Sequence, residues 1–136
     1  PAAVTLQQAL QLPLILPASP HGVRPIIEAA ARAQGLPAPN VIADISSVSI
    51  LRTTLLAGLG HTLLPVMPLQ HELAAGTLCA VAVENPTLTR RLALCASKHV
   101  PLSAAATAVA RLTADLTKDL CTKNVWQGAA LVPKVP

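Results

Sequence analysis

The residues best suited to chemistry lie in a short loop between an apolar run and a helix-like segment. This loop, "PASPHG" at 17–22, carries a hydroxyl at Ser19 and an imidazole at His21. Pro25 is tolerated only in the first turn of a helix, so the helix is predicted to begin near His21 or Gly22. Free N–H groups at such a helix start favour a carboxylate or a similar anion. A proline-stiffened connection that binds nothing is the alternative interpretation.

A second helix start repeats this arrangement in "DISSVS" at 44–49. Either Ser46 or Ser47 would stand at the helix start, and serine is a preferred capping residue, so capping alone could explain both hydroxyls. If the two helices follow neighbouring parallel strands, however, their starts open onto one crevice. Open α/β sheets bind ligands in that crevice.

Other kinds of site have little support. The four histidines lack H-x-x-x-H or H-E-x-x-H spacing, and the first loop has one glycine and no lysine, which is too little for a nucleotide-binding motif. No serine lies in a G-x-S-x-G elbow. Cys95 is expected to be a buried small hydrophobe in a strand, and His71 and Glu72 are expected to face solvent. We therefore predict no enzyme activity, no metal and no cofactor.

The elements that would position these loops alternate between strands and helices. Apolar or alternating runs predict strands at 12–16, 40–45, 61–66, 78–83 and 89–97. Periodicity and capping residues predict helices at 5–10, from about 22 to 35, and at 47–57, 68–75 and 104–120. This order predicts an α/β fold with three layers, in which helices cover both faces of one small, mostly parallel sheet.

The predicted helix at 47–57 has one apolar face. Val48, Leu51, Leu55 and Leu56 recur at the spacing of such a face and are predicted to point toward the core.

Composition limits the possible partners of this chain. Its 136 residues fit one ordinary domain, and 52% hydrophobic with 12% charged residues argues against disorder. The net charge is +4, but only Arg90 and Arg91 are adjacent basic residues, so no stripe exists to track a phosphate backbone. Trp126 is the one aromatic residue, which excludes a base-stacking platform. Neither a membrane span nor a signal peptide is indicated, and three widely separated cysteines fit a reducing cytoplasm.

Four longer strings together resemble a known family. The chain contains, in order, "LPLILPASPHGVRPIIEAAARAQG", "ISSVSILRTTLLAGLGHTLLPV", "ELAAGTL" and "TRRLALCASKHVPLSAAATAVARL". Over residues 4–120 it resembles the C-terminal effector-binding domain of LysR-type bacterial transcriptional regulators. This resemblance implies a fold like that of type II periplasmic binding proteins, in which two α/β lobes enclose a small effector.

The resemblance also implies how the chain is divided. Residues 1–88 would form the second lobe with a short lead-in, and 89–120 would be the returning strand and helix that complete the first lobe. Residues 121–136 would form an irregular tail. The chain is then truncated on its N-terminal side, where the rest of the first lobe and a winged helix-turn-helix domain would precede it.

Site residues and partners follow from the same resemblance. Effector contacts of the family match Ser19, Pro20, His21, Gly22, Ser46, Ser47, Pro65 and Val66. The implied protein is a cytoplasmic homo-oligomer without a membrane partner, which binds a small carboxylate and contacts DNA only through its separate DNA-binding domain. A solute-binding protein of a transport system, which shares the fold, is the alternative. An enzyme that uses the same crevice has no residue in its favour.

Overall fold

The computed structural model of the chain describes residues 2–18, 22–97 and 99–132. The chain divides into two compact units, Pro1–Arg90 and Arg91–Pro136. In the first unit the order is β1 (Ala3–Thr5), α1 (Leu6–Gln11), β2 (Leu14–Leu16), α2 (Arg24–Ala33), β3 (Val41–Asp44), α3 (Val48–Leu56), a 3₁₀ turn (Met67–Leu69), α4 (Gln70–Ala74) and β4 (Ala82–Glu84). The second unit contains α5 (Ala104–Thr122).

The β2 strand is the centre of the sheet that positions the two predicted loops. It pairs in parallel with β3, and the Leu14 N–H donates to the Asn40 carbonyl at 2.9 Å. On the opposite side, the Ile15 N–H donates to the His61 carbonyl at 2.7 Å, within an isolated parallel bridge. Successive N–H groups of a strand point to opposite sides, so β2 has a neighbour along both edges. The predicted α/β fold with parallel strands is confirmed.

The prediction of one single sheet is wrong for the described residues, which form two separate parallel pairs, β2 with β3 and β1 with β4. At 61–66 only His61 is bridged, and 89–97 contains no strand. The fourth strand is confined to Ala82–Glu84, because its partner β1 offers only three residues. A strand exists only where a partner completes its hydrogen bonds, and apolar runs do not reveal that partner.

Local signals set the helix boundaries. Thr5 and Gln8 form a capping box at the start of α1, and Ser103 caps α5 through the Ala106 N–H at 3.1 Å. The predicted start of α2 near residue 21 or 22 is one or two residues too early, because the N-cap is Val23. Val23 is already in the αR region and has no capping hydrogen bond from its side chain.

The core of the first unit forms where α1 and α2 pack on β2. Leu14, Ile15 and Leu16 are at most 1% exposed, because β2 is covered by apolar side chains. Leu6, Leu10, Val23, Ile27 and Ala31 complete the main cluster. The predicted core face of α3 is only partly right: Leu51 is buried and Leu55 is half-buried, whereas Val48 and Leu56 are exposed.

The second unit has no buried side chain among its described residues. On α5, Val109, Leu112 and Leu116 form one apolar face and are 63, 59 and 51% exposed. Cys95 is also exposed, contrary to the prediction, because the segment around it is not a strand and no neighbouring strand covers it.

Candidate functional site

The ends of β2 and β3 bring the two predicted helix starts to one edge of the sheet. Leu16 pairs with Asp44 at the last position of each strand, and the Ile45 N–H continues the ladder by donating to the Leu16 carbonyl at 2.9 Å. The chain leaves β2 toward α2 and leaves β3 toward α3. Because the strands are parallel, both connections begin at their carboxyl edge, where α/β sheets bind ligands.

The start of α2 depends on Gly22. This residue is exposed and has a φ of +72°, a conformation that strains any residue with a side chain. The Ile26 and Ile27 N–H groups both donate to the Val23 carbonyl at 3.1 Å, which forms the first turn. The predicted site residues Ser19, Pro20 and His21 lie outside the described residues.

The two serines at the start of α3 have different contacts. Ser47 is the N-cap, and its Oγ accepts from the Ile50 N–H at 3.5 Å. The Ser46 Oγ instead accepts from the Ala18 N–H at 3.2 Å, across the sheet edge. Both serines are exposed. The N–H groups of Val48 and Ser49 have no acceptor among the described residues, as expected for the first turn of a helix.

An ion network lies between α2 and the end of β3. The Arg24 Nε donates to the Glu28 Oε1 at 2.9 Å, and its Nη1 pairs with the Asp44 Oδ1. The hydrogen bond with Glu28, followed by the contact with Asp44, raises the pKa of Arg24 above its ordinary value. This contribution to stability would be lost only as the pH rises through that raised pKa, so Arg24 stays charged at physiological pH.

Pro65 and Val66 follow the segment that lies beside β2. The Thr62 Oγ1 donates to the Ile15 carbonyl at 2.8 Å, and the chain then runs toward the same sheet edge as β2 and β3. Pro65 is exposed and Val66 is half-buried. Among the described residues, no hydrogen bond joins either of them to the starts of α2 or α3.

A second ion pair, between α3 and α4, corrects the prediction for Glu72. Its side chain is only 14% exposed and its Oε1 lies 2.9 Å from the Arg52 Nε, although the N–H is not aimed at that oxygen. Arg52 also donates through Nη2 to the Pro68 carbonyl at 3.3 Å. The sequence carries no local signal for a pair separated by 20 positions, so only the packing of the two helices reveals it.

A cavity of about 230 Å³ lies beside the second half of α2, away from both helix starts. It is lined by Glu28, Ala31, Arg32, Leu36, Ala38 and Pro39, and none of the predicted site residues contributes to it. We base the candidate site on the helix starts, because accessible N–H and O–H donors converge there. Of the charged side chains at the cavity, Glu28 is half-buried and Arg32 is exposed.

Two further kinds of site are not found in the described part of the chain. No group of three His, Cys, Asp or Glu side chains there could hold a metal ion. No described helix is long and apolar enough to cross a membrane.

Replacing Ser47 with alanine should lower the free energy of unfolding by about 0.5–1 kcal/mol, because α3 loses the acceptor for the Ile50 N–H. The hydrogen bond from the Ile50 N–H to the Ser47 Oγ is long, at 3.5 Å, so the expected loss of stability lies at the lower end of the usual range for N-cap substitutions. Urea unfolding measures the change. Ser49→Ala, at the exposed second residue of α3, is the matched control and should be nearly neutral, because the Ser49 side chain makes no capping hydrogen bond among the described residues. Equal effects of both substitutions would contradict the capping role.

The comparison with protein families identifies the domain type. The model of the LysR substrate binding domain matches residues 1–117 of the chain. Comparisons with curated proteins and with solved structures gave no significant match. The match spans most of the chain, and the parallel α/β topology agrees with the type II periplasmic-binding-protein fold of such domains. The chain therefore belongs to the LysR substrate-binding-domain family, the effector-binding part of LysR-type regulators.

Proposed function

We propose that this chain binds a small carboxylate at the starts of α2 and α3, and that the bound effector controls transcription by the full-length regulator. The observation that carries the proposal is the position of two helix N-termini at the carboxyl edge of one parallel strand pair. Their partial positive charge and the N–H groups of their first turns favour an anion.

The donors proposed to contact the effector are backbone N–H groups and one hydroxyl. Val48 and Ser49 offer N–H groups without an acceptor among the described residues. The Ser46 Oγ accepts from Ala18, and its own proton, which has no acceptor among the described residues, can donate. The Arg24 guanidinium is already paired with two carboxylates, so we assign the attraction for an anion to the helix starts.

The proposed pocket lining is the set of residues predicted from the resemblance. Gly22, Ser46 and Ser47 flank the two helix starts, and their exposure leaves them accessible to a ligand. Pro65 and Val66 are proposed as lining because their segment runs toward the same edge. Ser19, Pro20 and His21 remain proposed contacts that lie outside the described residues.

Control of transcription requires that the effector distinguish two states of the regulator. A ligand shifts an equilibrium only by binding the two arrangements unequally, and the shift in DNA affinity cannot exceed that difference. In the proposed scheme the intact protein is a homo-oligomer that binds DNA through a separate domain and acts in the cytoplasm. The family match supports this role over that of a transport protein.

An NMR titration of the labelled chain with succinate, followed at the amides of Gly22, Val48 and Ser49, tests the proposal. We expect saturable shifts with a Kd of about 1 mM or weaker, since few donors contribute. Succinamide, which has the same shape without the charge, should cause no comparable shift. Ser46→Ala should weaken succinate binding about five-fold through the loss of one hydrogen bond.

Two results would contradict the proposed function. One is the absence of saturable shifts at these amides with succinate at constant ionic strength. The other is an equal response to succinamide, which would show that the negative charge contributes nothing.

A further inference from the structure

Two contacts join the β3–α3 connection to the chain on both sides of the first loop. Before the loop, the Ala18 N–H donates to the Ser46 Oγ at 3.2 Å. After the loop, the guanidinium of Arg24 in the first turn of α2 pairs with the Asp44 carboxylate at the end of β3. The residues before and after the first loop are therefore both linked to the short segment 44–46, which leads into α3.

We infer that Arg24, Asp44 and Ser46 are positioning residues that hold the two helix starts of the candidate site at a fixed separation. The backbone hydrogen bonds between β2 and β3 end at the Ile45 N–H. Beyond that point, the side chains of these three residues connect the two segments that lead into α2 and α3. The inference assigns Arg24 and Asp44 a role that the proposed function does not, although its consequence for ligand affinity rests on that function.

The contacts are placed to order the loops rather than to stabilise the fold. The Asp44 side chain is 56% exposed, and ion pairs with such exposure add little to the global free energy of unfolding. The neighbouring core, with Leu16 and Ile27 fully buried, contains neither Arg24 nor Asp44. Loss of the pair should therefore increase local opening of the connections without unfolding the unit.

Glu28 provides a matched control because it binds the same guanidinium. Its Oε1 lies 2.9 Å from the Arg24 Nε, but Glu28 is one turn further along α2 and does not connect two elements. Asp44→Asn and Glu28→Gln each remove one negative charge beside Arg24. Only the first substitution removes the contact between α2 and β3, so a difference between the two variants reports on positioning and not on charge.

Amide hydrogen exchange of the ¹⁵N-labelled chain tests the inference. We expect Asp44→Asn to speed exchange of the Ala18 amide about three- to ten-fold, because the two connections separate more often. Glu28→Gln should change this rate less than about two-fold. Arg24→Gln, which removes the same contact from the other side, should reproduce the effect of Asp44→Asn. The amides of Ile15 and Ile27 should keep their protection in all three variants.

Equal rates at Ala18 in Asp44→Asn and Glu28→Gln would overturn the inference, as would full protection of Ala18 in Arg24→Gln. These measurements need no ligand, so their outcome is independent of whether a carboxylate binds. If succinate does bind, Asp44→Asn should weaken its affinity about three-fold or more relative to Glu28→Gln, since the site is less preorganised. Equal affinities of the two variants would count against the positioning role.

Discussion

Leu16→Ala should lower the free energy of unfolding of the first unit by about 2–5 kcal/mol, the range for deleting a fully buried leucine side chain. Leu16 is 0% exposed and belongs to the cluster that joins α1 and α2 to β2. The vacated space lies within a cluster to which β2, α1 and α2 all contribute, so it can collapse only partly. Urea unfolding followed at the amide signals of α2 measures the change.

Leu12→Ala is the matched control for this prediction. The same atoms are removed from both leucines, but Leu12 is 38% exposed. Its replacement should cost less than about 1 kcal/mol. Similar urea midpoints for the two variants would show that the described core does not depend on β2.

The second large effect is expected at Gly60, where added volume should separate the 60–62 segment from β2. A Cβ at this position would lie 3.0 Å from the Pro13 carbonyl oxygen and 3.0 Å from the Ile15 Cδ1. The backbone oxygen cannot move aside without disturbing the His61 N–H, which donates to it at 2.9 Å. Gly60→Ala should therefore cost about 1–3 kcal/mol.

Local exchange separates this clash from a general loss of stability. In Gly60→Ala the amide of Ile15, which donates to the His61 carbonyl at 2.7 Å, should exchange faster than the other β2 amides. Gly76→Ala adds the same methyl group where no atom lies within 4 Å, at a φ of +70°. It should leave the Ile15 amide unaffected, whatever it costs in backbone strain. Unchanged protection of Ile15 in Gly60→Ala would refute the predicted contact.

The start of α3 illustrates how much of the candidate site could be predicted. The string "ISSVS" predicted a cap at Ser46 or Ser47, and the cap is Ser47. Ser46 instead accepts a hydrogen bond from the Ala18 N–H, 28 positions earlier in the chain, and the local sequence does not predict this contact. The pairing of Arg24 with Asp44 was equally beyond local patterns, since it requires β2 and β3 to be in register first.

The strands show the same division. The apolar runs that became β2 and β3 were recognisable because each is short and bounded by turn residues. The runs at 61–66 and 89–97 look similar in sequence, but only one bridge forms in the first and none in the second. The opposite case is β1, a strand that the sequence did not predict. It forms because β4 lies beside it and completes its hydrogen bonds.

By itself the sequence determined the α/β order, the positions of α2, α3 and α5, and the family to which the chain belongs. Those features depend on caps, prolines, glycines and apolar periodicity, which act over a few residues along the chain. The tertiary structure alone decided which runs became strands, which serine spans the two loops, and which charges pair. Each of these depends on groups far apart in sequence, and a hydrogen bond or ion pair forms only when the fold brings both of its members together.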